Sequence, residues 1–223
     1  KLKKFWGYNY NQNQKPPPQN QKINLENMDD KKLVKTNINN KRIEIEFRTM
    51  FDKKKYSDLY NFLNKNAEDL GEDDKDVYFF ILQDKLLKVV NNISKKSATI
   101  VLKLNRIGKG SDFEEIEIPI KQKEIEKAVK LFNELNVTEN IIHSFQKRHN
   151  YIYKGVEIAL KFSSEWQYHL ELEIMINDKS QKESAERKIK EIAKELEVEL
   201  MSDDELTKFV KKVENKNKGI IKP

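Results

Sequence analysis

Glu44, Glu46 and Arg48 stand at two-residue spacing in the run Ile43-Glu44-Ile45-Glu46-Phe47-Arg48. In an extended strand, side chains alternate between the two faces, so these charges share one face while Ile43, Ile45 and Phe47 share the other. Such a strand is either a solvated surface strand or one whose charged face lines an enclosed polar cavity while its apolar face packs against helices. In a chain that is 36% Asp, Glu, Lys and Arg, a single run of this kind carries little information. Its repetition carries more. Glu115 and Glu117 alternate with Ile116, Ile118 and Ile120, and Glu171 and Glu173 alternate with Leu170, Leu172, Ile174 and Ile176. Three separate strands therefore carry carboxylate pairs. Bases join them: Lys88 shares a face with Leu86 and Val90, and Lys103 shares one with Thr99, Val101 and Asn105. His169, on the face of Glu171 and Glu173, could help move a proton, although a surface or hydrogen-bonded histidine is the plainer expectation.

The elements that must position these residues follow from periodicity. Strands are expected over 42–49, 77–82, 86–91, 98–105, 113–120, 141–153, 156–162 and 168–176, the sixth of them after a short helical turn. Helices are expected over 52–65, with Asp52 as N-cap, over 121–135, where Ile125, Ala128, Val129 and Phe132 form one stripe, over 182–196, and over 202–213. In the last, Ser202 and Glu205 have capping-box spacing. The polar stretch 68–75 reads as a connection. Gly108-Lys109-Gly110-Ser111-Asp112 lacks the spacing of a phosphate-binding loop and joins strand to strand, so it reads as a hairpin turn. No strand–helix–strand alternation appears, which argues against a doubly wound parallel sheet. The fold class is α+β: an eight-stranded, mostly antiparallel sheet with helices between its strands. If the charged faces turn outward, the strands make an ordinary sandwich or barrel. If they turn inward, they make a barrel with a polar lumen and helices packed outside. Six carboxylates and several bases at strand centres favour the second.

Composition narrows the class of protein. Of 223 residues, 37% are hydrophobic and none is cysteine, which excludes disulfides and thiolate metal ligands and fits a reducing, cytoplasmic setting. No run of about eighteen apolar residues suggests a membrane span, and no apolar segment near Lys1 suggests a secretory signal. The net charge of +6 belongs to one end: residues 1–42 hold ten Lys or Arg against three Asp or Glu, and the remainder holds 33 against 34. The basic pI therefore does not imply a nucleic-acid-binding fold. The Asn/Gln/Pro-rich segment 1–40 is expected to be a disordered tail, with a tether to an acidic partner as the alternative. The folded domain is expected over 41–215 and a short disordered tail over 216–223.

The order of these motifs resembles the CYTH domain group of triphosphate tunnel metalloenzymes. Glu44, Glu46 and Arg48 match an opening Glu-x-Glu-x-Lys strand, Thr99 to Lys103 a strand ending in Lys, and Glu115 and Glu117 an Arg-x-Glu-x-Glu strand. Lys147, Arg148 and Tyr151 match a basic pair before Tyr, and Glu171 and Glu173 a closing Glu-x-Glu. The resemblance spans about Arg42 to Val213. It implies an eight-stranded antiparallel tunnel that binds a triphosphate through Mg²⁺ or Mn²⁺. Carboxylates alone would repel a polyanion, so acidic strands facing a phosphate chain need intervening hard cations, which prefer oxygen ligands.

By that resemblance Glu44, Glu46, Glu115, Glu117, Glu171 and Glu173 are the metal-ligand candidates. Arg48, Lys88, Lys103, Lys147, Arg148 and Lys161 are the phosphate contacts, with Glu44, Glu46, Lys88 and Lys103 central to catalysis. Trp166 and Tyr168 pack at the core or rim in preference to stacking on a substrate. Phe113 stands where the family has Arg, Gln146 where Lys is common, and Lys161 where an Asp ligand is frequent. The implied activity is metal-dependent hydrolysis of tripolyphosphate, thiamine triphosphate or a nucleoside triphosphate. The alternatives are class IV adenylate cyclase chemistry and a non-catalytic polyphosphate- or nucleotide-binding module. The expected partner is a small triphosphate, with no membrane or nucleic acid, and a homodimer stays open.

Overall fold

In the computed structural model, residues 43–217 are described; the expectations for residues 1–40 and for the last six residues lie outside the described residues. Among the described residues nine strands occur: β1 (Ile43–Met50), β2 (Glu68–Glu72), β3 (Lys75–Ile81), β4 (Leu86–Asn92), β5 (Ser97–Lys103), β6 (Asp112–Ile120), β7 (Ile141–Tyr153), β8 (Val156–Ser163) and β9 (Gln167–Ile176). Four α-helices accompany them: α1 (Lys53–Asn66), α2 (Ile125–Glu134), α3 (Lys182–Glu195) and α4 (Asp203–Asn217). The strand order is β7-β3-β4-β5-β6-β1-β9-β8, and β8 pairs back onto β7, closing an eight-stranded barrel in which every pairing is antiparallel.

The closure depends on the length of β7. At 13 residues it serves two neighbours in succession, pairing β3 through Ile141–Gln146 and β8 through Lys147–Tyr153. The helical turn expected before this strand does not interrupt it. Outside the barrel, β2 adds a ninth strand to the second half of β7, with a bulge between Asp69 and Gly71. Sequence reading took this stretch as a connection. Glu-Asp-Leu-Gly-Glu has no buried face and forms a strand through backbone pairing alone, so no side-chain alternation announces it.

The apolar faces point outward under the helices. Ile43, Ile45, Ile158, Leu160, Leu170 and Leu172 of β1, β8 and β9 pack against Leu59 and Leu63 of α1 and Ile189 and Ile192 of α3. A second cluster joins Phe80, Leu87 and Val89 to Ala128 and Phe132 of α2, the stripe expected for that helix. Full burial of each such Leu or Ile contributes about 1.5–3 kcal/mol. The capping expectations hold: the Asp52 carboxylate accepts from Lys55 N–H at 2.8 Å, and the Glu205 carboxylate accepts from Ser202 N–H at 2.8 Å. Among the described residues, no helix is long and apolar enough to cross a membrane.

Helix α4 sits over one end of the barrel. Phe209 packs on Trp166 with ring centroids 4.8 Å apart, and Glu214 pairs with Arg106. Thr207 donates its hydroxyl to the Gly108 carbonyl at 3.0 Å. Gly108 has φ +84°, and a Cβ there would lie 2.5 Å from Thr207 Oγ1 and 2.9 Å from its backbone nitrogen. The turn between β5 and β6 therefore requires glycine because the helix passes directly over it. Gly108→Ala is expected to cost at least ~1–2 kcal/mol from the left-handed backbone alone, which thermal unfolding would read as a drop of roughly 2–8 °C. An unchanged melting temperature would show that α4 is not held by this contact.

Candidate metal and phosphate site

The barrel encloses a lumen of about 290 Å³, and its lining answers the question of which face turns inward. Glu44, Glu46 and Arg48 of β1 line it, as do Lys88 of β4, Lys103 of β5, Glu115 and Glu117 of β6, Arg148 of β7, Lys161 of β8 and Glu171 and Glu173 of β9. An eight-stranded barrel is only wide enough to be filled by its own side chains or to hold one small ligand, so these groups meet at close range. Registry sets who meets whom. Glu46 pairs across with Glu173, and Arg48 with Glu171. Lys103 pairs with Glu115, and Arg148 with Lys161.

Lys147 is the one site candidate the structure does not bring to the lumen. It is exposed, between the inward residues Gln146 and Arg148. Strand alternation allows only one of two adjacent bases to face the interior, and Arg148 takes that place. Glu117 lines the lumen but is exposed, so it lies toward an open part of the wall. Lys75 was missed: it lines the lumen from the start of β3, holding Asp73 at 2.9 Å. It lies at the border of a polar stretch read as a connection, where no alternation marked its face. Asp73, almost fully buried, also meets Arg148 at 3.4 Å and accepts from the Asn92 amide at 2.6 Å.

Two carboxylate groups with different surroundings emerge. In the first, oxygens of Glu44, Glu46 and Glu173 lie within 4.8 Å of one another. Lys103 Nζ reaches Glu44 at 2.9 Å, Glu46 at 3.0 Å and Glu115 at 2.9 Å. Burial first, then repulsion from Glu173 and Glu115, pushes the Glu44 carboxyl up to about 8 against the pull of Lys103. Burial likewise raises Glu46, with Arg48 and Lys103 opposing. The Oε1 atom of Glu46 is buried without a hydrogen bond, although the Arg48 guanidinium stands against it. Three converging carboxylates whose negative charge is under-compensated are a donor set of the kind hard divalent cations use.

The second group centres on Glu171. Its Oε1 accepts from Arg48 Nε at 3.0 Å and its Oε2 from Lys161 Nζ at 2.9 Å, with Arg148 at 3.7 Å. Against the upward push of burial, Lys161, Arg48 and Arg148 hold this carboxylate well below the usual range. Burial lowers the Lys161 ammonium to about 8, Glu171 opposing. Glu171, expected as a metal ligand, is thus the partner of three cations. Arg48 is committed as well: it bridges Glu46 and Glu171 and lies 5.6 Å from the Trp166 ring. Glu115, pulled down to about 2 by Lys88 and Lys103 in spite of burial, orients those two bases.

Phe113, in the family's Arg position, is fully buried with its ring 4.3 Å from Lys103 Nζ, so it supports that base from beside the lumen. Trp166 lines the lumen at the end under α4, whereas Tyr168 packs on Tyr56 and Phe162.

No protein-family model matches the chain, and no curated protein matches it. Solved structures do. A conserved hypothetical protein from Pyrococcus furiosus is 24% identical, with 71% of this chain and 94% of that one covered at a TM-score of 0.57. A candidate adenylate cyclase from Vibrio parahaemolyticus is 13% identical, with 76% and 98% covered at 0.56. HpAC1 from Hippeastrum, a candidate adenylyl cyclase with a dominant triphosphatase activity, is 14% identical, with 71% and 89% covered at 0.51. What these likenesses share with this chain is the fold, the closed eight-stranded barrel.

His169 is almost fully buried, and its Nδ1 bonds the Gln167 carbonyl at 2.9 Å. Burial, reinforced by Lys161, pushes its imidazolium down to about 3, so it is a neutral, hydrogen-bonded histidine. Between pH 6.5 and about 3 the unfolded chain holds a proton here that the folded one does not. The stability present above pH 6.5 is then lost on acidification, at up to about 1.4 kcal/mol per pH unit. His169→Gln is expected to flatten the dependence of unfolding free energy on pH between 6 and 4; parallel profiles for the two proteins would refute the assignment.

Proposed function

We propose that this protein is a divalent-metal-dependent hydrolase of triphosphates, with the phosphate chain lying in the lumen. The observation that carries this reading is the charge balance of the lining: six carboxylates face six bases, so with Glu44 and Glu46 ionised the enclosed charge is close to zero. A neutral lumen has no surplus attraction for a polyanion. Extra positive charge must enter with it, and Glu44, Glu46 and Glu173 offer the place. A cation held there, Mg²⁺ or Mn²⁺ by the oxygen-only donor set, would neutralise charge developing on the transferred phosphoryl group.

This chain's residues supply the rest. Lys88, Lys103, Arg148 and Lys161 hold phosphoryl oxygens through charge-assisted hydrogen bonds, Lys as a movable point charge and Arg as a planar fork. Lys75 joins them. Arg48 orients Glu46 and Glu171, and Glu115 orients Lys88 and Lys103. Fold relatives described as candidate adenylate cyclases keep cyclisation as a second reading, and the triphosphatase activity of HpAC1 supports the first. The reading includes a small-molecule triphosphate as ligand, a cytoplasmic setting and neither nucleic acid nor membrane as partner.

Incubation with Mg²⁺ or Mn²⁺ and, separately, tripolyphosphate, thiamine triphosphate and ATP tests this. Orthophosphate is the expected product, cyclic AMP with pyrophosphate would establish the cyclase, and metal-dependent binding without any product would establish a binding module. Glu173→Gln is expected to lower turnover at least 100-fold and to remove the rise in melting temperature on Mn²⁺ addition. Its own stability should change little, because the ion pair of Glu173 with Arg148 is long, at 3.6 Å, and its other close neighbours, Glu44 and Glu46, are carboxylates. Glu46→Gln is expected to abolish turnover and also to destabilise, since it leaves Arg48 and Lys103 short of a buried counter-charge. Near-normal activity in both variants would overturn the site.

A further inference from the structure

The two carboxylate groups of the lumen differ in how many cations each carboxylate has to itself. Glu171, 6% exposed, has both oxygens taken: Lys161 at Oε2 and Arg48 at Oε1, each within 3.0 Å. Glu46 meets Arg48 and Lys103, but it shares those two cations with Glu44, Glu115 and Glu171, and its oxygens converge with those of Glu44 and Glu173. Lys161 is itself 5% exposed and anchored mid-strand between Arg148 on β7 and His169 on β9. A divalent ion at Glu171 would have to displace the ammonium and leave it buried beside Arg148 and Arg48 without its hydrogen-bonded carboxylate. Of the three N–H donors of Lys161, Glu171 uses one, which leaves two for an oxyanion in the lumen.

Resting on the reading above, we propose that Lys161 is a fixed cation of the lumen. It denies Glu171 to metal, limits the protein to one divalent ion at Glu44, Glu46 and Glu173, and holds the phosphate chain where a second ion would otherwise sit. It is a specificity-determining residue for metal stoichiometry as well as a phosphate contact. Lys161→Gln removes the nearer of the two cations at Glu171 Oε2, leaving Arg148 at 3.7 Å, and takes one positive charge from the path of the phosphate chain, so a bound polyphosphate then recruits a second ion to that point.

Equilibrium dialysis of the full chain against Mn²⁺, without and with non-hydrolysable imidotriphosphate, tests this. The expected result is one Mn²⁺ per chain in the wild type under both conditions, and two in Lys161→Gln with imidotriphosphate present. Two ions in the wild type, or a folded Lys161→Gln that stays at one, would overturn the proposal and leave the triphosphatase reading standing. No Mn²⁺ bound by the wild type would overturn that reading at the acidic trio, and this proposal with it. The wild-type stoichiometry is decisive even where the variant fails to fold.

Discussion

Charge inside a closed barrel has to be neutralised at short range, and the architecture follows from that constraint. Carboxylates and bases that would be solvated on an open sheet here face a lumen of about 290 Å³ and are mostly buried, so solvent screens them less. Each must find a counter-charge within a few ångströms. Lys103 among Glu44, Glu46 and Glu115, and Glu171 among Arg48, Lys161 and Arg148, are the two solutions. The first leaves negative charge incompletely compensated and the second leaves none, and that asymmetry distinguishes a place for a cation from a place for an anion.

The surrounding elements serve this arrangement without entering it. α1, α2 and α3 cover the outer apolar faces and let the barrel wall exist with a polar interior, since the hydrophobic core lies between strands and helices. α4 instead meets the end of the barrel, where Trp166, Arg106 and Gly108 receive it. Because Trp166 also lies 5.6 Å from the Arg48 guanidinium, its ring links the helix to the lumen.

Much of this was legible beforehand because strands write their two faces into sequence at period two. Glu44 with Glu46, Glu115 with Glu117, Glu171 with Glu173, and Lys88 and Lys103 announced a common charged face, and all of them line the lumen. What alternation does not mark stays hidden: β2 has no buried side, and Lys75 sits at its polar border. Lys147 enters only through the resemblance, as half of a basic pair before Tyr151, and in a strand its neighbour Arg148 takes the inward face.

The sequence by itself determined which residues could share a face, where the helices begin, and that the acidic strands need cationic company. Only the tertiary structure decided that the charged face turns inward, because that depends on β7 being long enough to pair β3 and then β8 and so close the sheet. It alone also separated Glu171 from Glu173. The two are equivalent in any pattern of alternating residues, yet one is bound by three cations and the other joins the acidic trio, a difference set by which side chains the neighbouring strands bring to that depth of the lumen.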